Sequence, residues 1–199
     1  MRIYDISQPV FGCVVYPGDP VPKLKVLCDM ENGDLYNLSA FAMCAHNGTH
    51  VDAPYHFYQD GKRVDELSLE AFVGMCYVAN CTGELTAQEA ISILEKARIE
   101  NQKSAKRILL KGDVVVTEEA ASVFAEAKVL LVGVESQTVG PEEAPMSVHL
   151  KLLGAEVAIL EGLRLQNVGE GAYFLNAAPM NLNGADGAPC RAILIDIEV

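Results

Sequence analysis

Three stretches of this chain are apolar with no regular polar alternation, and they strongly limit the folds it can adopt. They are Arg107 to Lys111, Lys128 to Val134 and Glu156 to Leu160. Runs of this length and β-branched content are typical of strands that are buried on both faces of a sheet. Because segments of helical periodicity alternate with them, the pattern indicates an α/β core.

The predicted helices have recognisable sequence signals. The first starts at a capping box, in which Thr86 and Glu89 satisfy each other's backbone N–H groups, and it ends before Asn101. Apolar residues recur along it at helical spacing, namely Ile91, Leu94 and Ala97. A second, shorter helix is predicted over Glu118 to Ala127.

Further strands are predicted towards both ends of the chain. They cover Arg2 to Ile6, Lys23 to Cys28, Leu38 to Ala45, Ala172 to Ala177 and Ala192 to Val199. No internal repeat, low-complexity tract or linker divides the sequence. We therefore expect a single domain spanning residues 1–199.

The composition excludes several classes of partner. With a formal net charge of −12 and only 15 lysines and arginines, the chain cannot neutralise a phosphate backbone, so we expect no nucleic-acid partner. No apolar run approaches the roughly 20 residues of a membrane span, and the N-terminus lacks the apolar segment of a secretory signal. We expect a cytoplasmic protein with no membrane partner, whose six cysteines are reduced thiols.

Histidines are concentrated in one short segment. Three of the four, His46, His50 and His56, fall within eleven residues that also include Asp52. Side chains alternate between two faces of an extended chain, so these even-numbered residues would all project to one side. Imidazole and carboxylate together suit zinc, manganese or iron, and ligands from one segment leave coordination positions open for water and substrate. The segment therefore predicts a catalytic metal site.

The spacing of His46 and His50 also occurs on the metal-binding helix of zinc proteases. That motif needs a glutamate directly after the first histidine, and Asn47 stands there instead. Gly48 and Pro54 favour a rigid loop over a helix. We therefore do not expect a protease of this class.

The whole segment His46-Asn-Gly-Thr-His50-Val-Asp52-Ala-Pro-Tyr-His56 resembles the signature of the cyclase family, which includes bacterial kynurenine formamidase. The similarity extends to Tyr16-Pro-Gly-Asp-Pro20, Gly133 to Val139, Ile159 to Leu163 and Gly184 to Ala192. This resemblance implies a swivelling β/β/α domain, an α/β architecture with a mixed sheet. It also implies a homodimer or homotetramer with active sites near the subunit contact.

The resemblance further implies a role for each site residue. His46 and His50 would bind one divalent metal ion, Asp52 would bridge, and His149 with Glu161 would complete a second metal site. His56 would be the catalytic acid or base. Two zinc ions are the first expectation for the cofactors, with manganese as the alternative, although the ligand types themselves leave zinc, manganese and iron open.

For the reaction, the resemblance implies hydrolysis of a small amide by metal-activated water. The leading substrate is an arylformamide such as N-formylkynurenine, from tryptophan catabolism. Opening of a cyclic amide, as in isatin hydrolases, and metal binding without catalysis are the alternatives. In isatin hydrolases a glutamine is expected at the position of Glu161, so the carboxylate favours the two-metal version.

Some residues depart from the family pattern or have weaker roles. Tyr16 stands where kynurenine formamidases commonly have a tryptophan that lines the substrate pocket, and it is the candidate substrate-binding residue. Glu135 and Gly140 replace aspartates of a Gly-Ile-Asp-x-x-Ser-Val-Asp stretch, and the role of Glu135 is left open. Asp186 and Arg191 are interpreted as a structural turn and its ion-pair partner.

Overall fold

Nine strands form one mixed sheet in the computed structural model, which describes residues 1–196. In spatial order they are β1 (Arg2–Asp5), β13 (Ile193–Asp196), β11 (Gly171–Asn176), β5 (Val73–Asn80), β7 (Arg107–Lys111), β9 (Leu131–Val134), β10 (Ala158–Glu161), β4 (His50–Asp52) and β12 (Gly187–Pro189). The four strands β5, β7, β9 and β10 are parallel, and the strands on both flanks pair antiparallel. The predicted α/β class with a mixed sheet is confirmed.

Three helices lie beside one another on one face of this sheet. They are α1 (Ala87–Glu100), α2 (Glu118–Glu126) and α3 (Met146–Gly154). The capping box at the start of α1 is present, since the Thr86 side chain accepts from the Glu89 N–H and the Glu89 carboxylate accepts from the Thr86 N–H. Leu94 and Ala97 of the predicted apolar stripe are buried, together with Ala90 and Ile93, whereas Ile91 is exposed.

The core occupies both faces of the parallel strands, as the uninterrupted apolar runs predict. Ile108 and Leu110 of β7 pack into the cluster that contains the helices, and Leu109 between them belongs to the cluster on the opposite face. Alternate side chains of a strand point to opposite faces, so a strand covered on both sides needs apolar residues throughout. In the described part of the chain, none of the helices is both long and apolar enough for a transmembrane span.

The strand boundaries differ from the prediction for a local reason. The runs predicted from Lys128 and Glu156 become strands only at Leu131 and Ala158, because Lys128 and Glu156 have φ of 52° and 59° and turn the chain out of the preceding helix. β5 was not predicted, although it lies at the centre of the sheet. The final strand is described as far as Asp196, and its predicted continuation to Val199 lies outside the described residues.

Two further pairs of strands lie outside the main sheet. β2 (Lys23–Cys28) pairs antiparallel with β3 (Leu38–Ala42), and β6 (Gly83–Leu85) pairs parallel with β8 (Val114–Val116). The main sheet positions the functional residues through β4, which lies between β10 and β12. In the pairing of β4 with β10, His50 is directly opposite Glu161.

Candidate metal centre

The histidine-rich segment combines three kinds of backbone. Only His50 to Asp52 is a strand, so the extended-chain prediction holds for these two side chains, which lie on the same face of β4. His46 belongs to the turn before the strand, and His56 ends a short 3₁₀ helix that begins at Pro54. The segment is thus a turn, a strand and a single 3₁₀ turn, and it is not the α-helix of a zinc protease.

Buried hydrogen bonds join this segment to the residue that follows β10. The Thr49 hydroxyl donates to the Gly162 carbonyl at 2.7 Å and accepts from the Gln8 backbone N–H at 2.8 Å. Gly162 has a φ of +71°, and a Cβ at this position would collide with the Gly48 carbonyl oxygen. Glycine is therefore required after Glu161, because it lets the two segments approach each other.

Two buried carboxylates lie between two buried imidazoles at the centre of the site. Asp52 Oδ1 and Glu161 Oε2 are 3.5 Å and 3.3 Å from His50 Nε2. The other oxygens, Asp52 Oδ2 and Glu161 Oε1, are 3.5 Å and 3.3 Å from His149 Nε2. The structure thus brings residues from β4, α3 and β10 together, although these elements are far apart in the chain.

The orientation of both imidazoles is set by backbone carbonyls. His50 Nδ1 donates to the Gly48 carbonyl at 3.0 Å, and His149 Nδ1 donates to the Pro145 carbonyl at 2.7 Å. These bonds direct each Nε2 towards the carboxylates. Hydrogen bonds of this kind at the second ring nitrogen are the usual way in which proteins fix metal-binding histidines.

His46 and His56 lie on the outer side of the site and share a third carboxylate, Asp186. His46 Nδ1 is 2.8 Å from Asp52 Oδ1, and its Nε2 is 2.9 Å from Asp186 Oδ2. His56 Nδ1 is 3.1 Å from the same Asp186 oxygen, and the rings of His46 and His56 have centroids 4.1 Å apart. His56 therefore lies beside the predicted ligands.

The interpretation of Asp186 and Arg191 as a turn and its ion-pair partner is wrong. Arg191 pairs with Asp5 at 2.6 Å, and Asp186 contacts the two histidines instead. Asp186 lies 140 residues after His46 in the sequence, and only the pairing of β12 with β4 brings the two residues together. The sequence alone therefore gives no sign of this contact. Glu135 lies outside the histidine–carboxylate cluster, and its carboxylate accepts from the backbone N–H groups of Gly112 and Leu165.

The electrostatics of the cluster favour positive charge. Burial disfavours the protonated imidazole, but Asp186 and Asp52 outweigh it and raise the pKa of His46 to about 11. The carboxylates of Asp52 and Glu161 likewise outweigh burial and raise the pKa of His149 to about 10. Burial would raise the pKa of Asp52, yet hydrogen bonds from His149 and His46 hold it well below its usual value.

A cavity of about 210 Å³ opens onto the cluster. Tyr16 lines it, as predicted for a substrate-binding residue, and Phe57 and Pro145 add apolar walls. Thr138 and Gln137 were not singled out from the sequence but also line it, and within residues 1–196 the Thr138 hydroxyl and the Gln137 amide have no hydrogen-bond partner. Both lie in the stretch from Gly133 to Val139, which resembles the cyclase family. This resemblance is the only feature of the sequence that could have indicated a role for them.

The Cyclase family model matches residues 4–141, which include the complete histidine-rich segment. The chain belongs to the Cyclase family. A kynurenine formamidase of Bacillus cytotoxicus is 31% identical to it over 204 residues, covering 96% of this chain and 95% of that enzyme. The similarity therefore extends through the region of His149 and Glu161, beyond the part that the family model matches.

Solved structures of Cyclase family relatives share the fold. A structure described as a potential metal-dependent hydrolase with cyclase activity has a TM-score of 0.81 and 30% identity, covering 100% of this chain and 99% of that one. Isatin hydrolase A from Labrenzia aggregata, bound to benzyl benzoate, has a TM-score of 0.81 at 23% identity, covering 97% and 93% of the two chains. The second likeness concerns the fold alone.

The donor set of this Cyclase family member fits a divalent metal ion. Ligand atoms of Asp52, His149 and Glu161 all lie within 4.8 Å of one another, and so do those of His46, His50 and Asp52. Nitrogen and carboxylate oxygen donors in such a cluster suit zinc, manganese or iron. The same carboxylates that raise the histidine pKa values would stabilise a divalent cation placed among them.

Proposed function

We propose that this protein is a metal-dependent hydrolase that cleaves a small arylformamide, with N-formylkynurenine as the leading substrate. One observation carries the proposal most directly: Asp52 and Glu161 each lie within 3.5 Å of both His50 and His149, so their carboxylates can be shared between two ions. The similarity to kynurenine formamidase over nearly the full chain supports the substrate class.

The proposed metal sites use both halves of the cluster. His46 and His50 face Asp52 Oδ1 and would hold one ion, while His149 and Glu161 Oε1 would hold a second ion on the side of Asp52 Oδ2. Zinc is the first choice, and manganese is the alternative. When bound, such ions supply water activated for attack on the formyl carbon at neutral pH, since they lower its pKa from about 15.7 towards about 7.

We assign the proton transfer to His56. With Nδ1 donating to Asp186, its Nε2 is the nitrogen that can exchange a proton with the substrate. Cleavage breaks the bond between the formyl carbon and the aryl nitrogen. Water supplies the second oxygen of the formate product, and the proton that it loses restores His56 for the next cycle. His56 gives its proton to the departing nitrogen, so that a neutral amine leaves. Asp186 keeps the imidazole oriented for this transfer.

The cavity fits a small aromatic amide. Its volume of about 210 Å³ lies below the range of roughly 300–1,000 Å³ that is typical of drug-sized ligands. The rings of Tyr16 and Phe57 provide apolar surface for an aryl group, and the histidine cluster lies at the polar end. We place the enzyme in the cytoplasm, where its six free cysteines would stay reduced.

A hydrolysis screen tests the proposed reaction. We expect the purified chain to release formate from formyl-arylamines, including N-formylkynurenine, when it is loaded with zinc or manganese. We expect little turnover of isatin or of simple cyclic amides. A chelator should remove the activity and added metal should restore it. Faster opening of isatin than of the formamides would overturn the substrate assignment, and no turnover of any amide with any metal would indicate metal binding without catalysis.

Thr138 provides a test of substrate binding in the cavity. We expect its buried hydroxyl to hydrogen-bond the substrate, because the hydroxyl has no partner in the described residues and Thr138 lines the cavity. Thr138→Val should lower kcat/KM about tenfold, as the loss of one hydrogen bond of about 1 kcal/mol or slightly more implies. Thr138→Ser should retain most activity, and metal content should not change in either variant. Unaltered kinetics in Thr138→Val would contradict this role.

A further inference from the structure

Gln8 is a buried glutamine at the start of the loop that carries Tyr16. Its exposed fraction is 6%, although glutamine side chains are mostly exposed in proteins. The backbone before it is fixed to the body of the protein, because the Ile6 N–H donates to the Ala192 carbonyl at 3.0 Å and the Ile6 carbonyl accepts from the Arg164 N–H at 2.9 Å. Gln8 therefore lies at a fixed point from which its side chain reaches two neighbouring segments.

Gln8 closes a ring of hydrogen bonds around the Gly162 carbonyl. Its backbone N–H donates to the Thr49 hydroxyl at 2.8 Å, and this hydroxyl donates to the Gly162 carbonyl at 2.7 Å. The Gln8 Nε2 group donates to the same carbonyl at 2.9 Å, so this oxygen accepts one hydrogen bond for each of its lone pairs. Thr49 precedes His50 in the sequence, and Gly162 follows Glu161. The ring therefore joins the backbones beside two predicted metal ligands.

The other end of the same amide holds the loop that lines the substrate cavity. Gln8 Oε1 accepts from the Val14 backbone N–H at 2.9 Å. Two residues further along, Tyr16 lines the cavity and donates from its hydroxyl to the Glu142 carbonyl at 3.1 Å. Asp19, whose N–H donates to the Tyr16 carbonyl, lines the cavity as well. One side chain thus connects this cavity wall to the residue that follows β10.

The end of β10 is itself tightly held, so this connection starts from a defined position. Besides the two bonds to its carbonyl, Gly162 donates its N–H to the Ser136 carbonyl at 2.7 Å. The Glu161 carboxylate accepts from the Val139 backbone N–H at 2.7 Å. A shift of Glu161 would therefore be passed along the backbone to Gly162 and from there to the Gln8 amide.

We propose that Gln8 is a positioning residue that couples the predicted metal ligand Glu161 to Tyr16 in the wall of the substrate cavity. The connection runs along the backbone from Glu161 to Gly162, and then through the Gln8 amide to Val14 and the loop. When metal coordination orders Glu161, the loop becomes ordered as well, and by reciprocity an ordered loop favours an ordered Glu161. The inference rests on the proposed function, because Tyr16 is the residue that would contact the aryl group of an arylformamide.

The kinetics of Gln8→Met test this coupling in the metal-loaded enzyme. Methionine has a similar volume but no amide, so the variant loses the side-chain bonds to Gly162 and Val14. Because a displacement of about 1 Å can cost about 10²-fold in rate, we expect a smaller shift of the loop to raise KM for a formyl-arylamine about tenfold. The kcat and the metal content should change little, since Thr49 still holds the Gly162 carbonyl. Gln102→Met is the matched control, because Gln102 is an exposed glutamine after α1 and its variant should behave as wild type.

A double-mutant cycle with Tyr16→Ala separates positioning from a merely structural role. If Gln8 acts through Tyr16, the two effects cannot add, because the placement of the ring no longer matters once the ring is gone. The combined variant should therefore have the same KM as Tyr16→Ala alone. Effects on KM that multiply in the combined variant would overturn the proposal. An unchanged KM or a loss of metal in Gln8→Met would overturn it as well.

Amide hydrogen exchange tests the same coupling without any substrate. In wild type, exchange in residues 15–19 should be slower in the zinc-loaded protein than after treatment with a chelator. In Gln8→Met this difference should disappear, while residues 158–162 remain more protected in the loaded protein. Equal exchange of residues 15–19 in loaded and metal-free wild type, or a difference that persists in Gln8→Met, would overturn the proposal.

Gln8→Glu covers the case in which Gln8→Met does not fold. An ionised carboxylate can still accept from the Val14 N–H but cannot donate to the Gly162 carbonyl, so zinc should no longer slow exchange in residues 15–19. Slower exchange there in loaded Gln8→Glu would contradict the coupling. The outcomes also separate this inference from the proposed function. Coupled exchange without hydrolysis of any arylformamide would refute the reaction alone, whereas hydrolysis without coupled exchange would refute the role of Gln8.

Discussion

Asp52→Ala should lose the bound metal and, with it, all measurable hydrolysis of amide substrates. Asp52 is fully buried between three imidazoles, with Oδ1 2.8 Å from His46 Nδ1 and Oδ2 3.5 Å from His149 Nε2. Alanine removes both oxygens and leaves the two halves of the cluster without a shared ligand. Mutation of outer-shell partners alone typically costs 10–100-fold in metal affinity or activity, and loss of a bridging ligand should cost more.

Elemental analysis of the purified variant, together with the formate-release assay, measures this effect. Asp60→Ala is the matched control, since Asp60 is an exposed aspartate outside the cluster and its variant should keep full metal content. Asp52→Asn separates charge from shape, because the amide preserves the volume but not the negative charge. An Asp52→Ala protein that retained two ions per chain would disprove the bridging role.

His56→Ala should show the opposite combination, with normal metal content and a turnover reduced by roughly 10²–10⁴-fold. His56 is bound to Asp186 through Nδ1 and is not among the residues closest to Asp52 and Glu161, so its loss removes the proton donor without removing a ligand. Single-turnover measurements with a formyl-arylamine would locate the defect in the chemical step. Full turnover in this variant would exclude His56 as the acid.

Replacing the leaving group gives an independent check on the same histidine. A formyl-arylamine with a strongly electron-withdrawing ring needs less protonation of the departing nitrogen. The deficit of His56→Ala should therefore shrink with such a substrate, whereas the wild type should respond weakly. An equal deficit with good and poor leaving groups would indicate that His56 positions the substrate and does not protonate it.

Local patterns in the sequence predicted local structure well. The capping box at Thr86 and Glu89 fixes the start of α1, and the apolar run from Arg107 to Lys111 is β7 with the same bounds. β5 was missed because its glycine, alanine and asparagine residues weaken the strand signal, although neighbouring strands cover it on both sides. Tertiary pairing therefore overrides local preference at the centre of this sheet.

The candidate site was also predictable only in part, because some of its contacts depend on tertiary pairing. His46, His50, Asp52 and His56 stand close together in the chain, so their chemistry is visible in a single segment. His149 and Glu161 came from the family resemblance alone, and Asp186 was misinterpreted. Its contact with His46 and His56 depends on the pairing of β12 with β4, for which a single sequence has no periodic signal.

The hydrogen bond from Thr49 to the Gly162 carbonyl joins residues 113 positions apart. While the chain is being synthesised, the early histidines leave the ribosome long before the partners that complete their cluster. A nascent polypeptide therefore cannot hold an ion in the finished geometry until β10 has emerged and docked against β4. An ion would consequently be loaded late in maturation, from the pool that surrounds the completed protein.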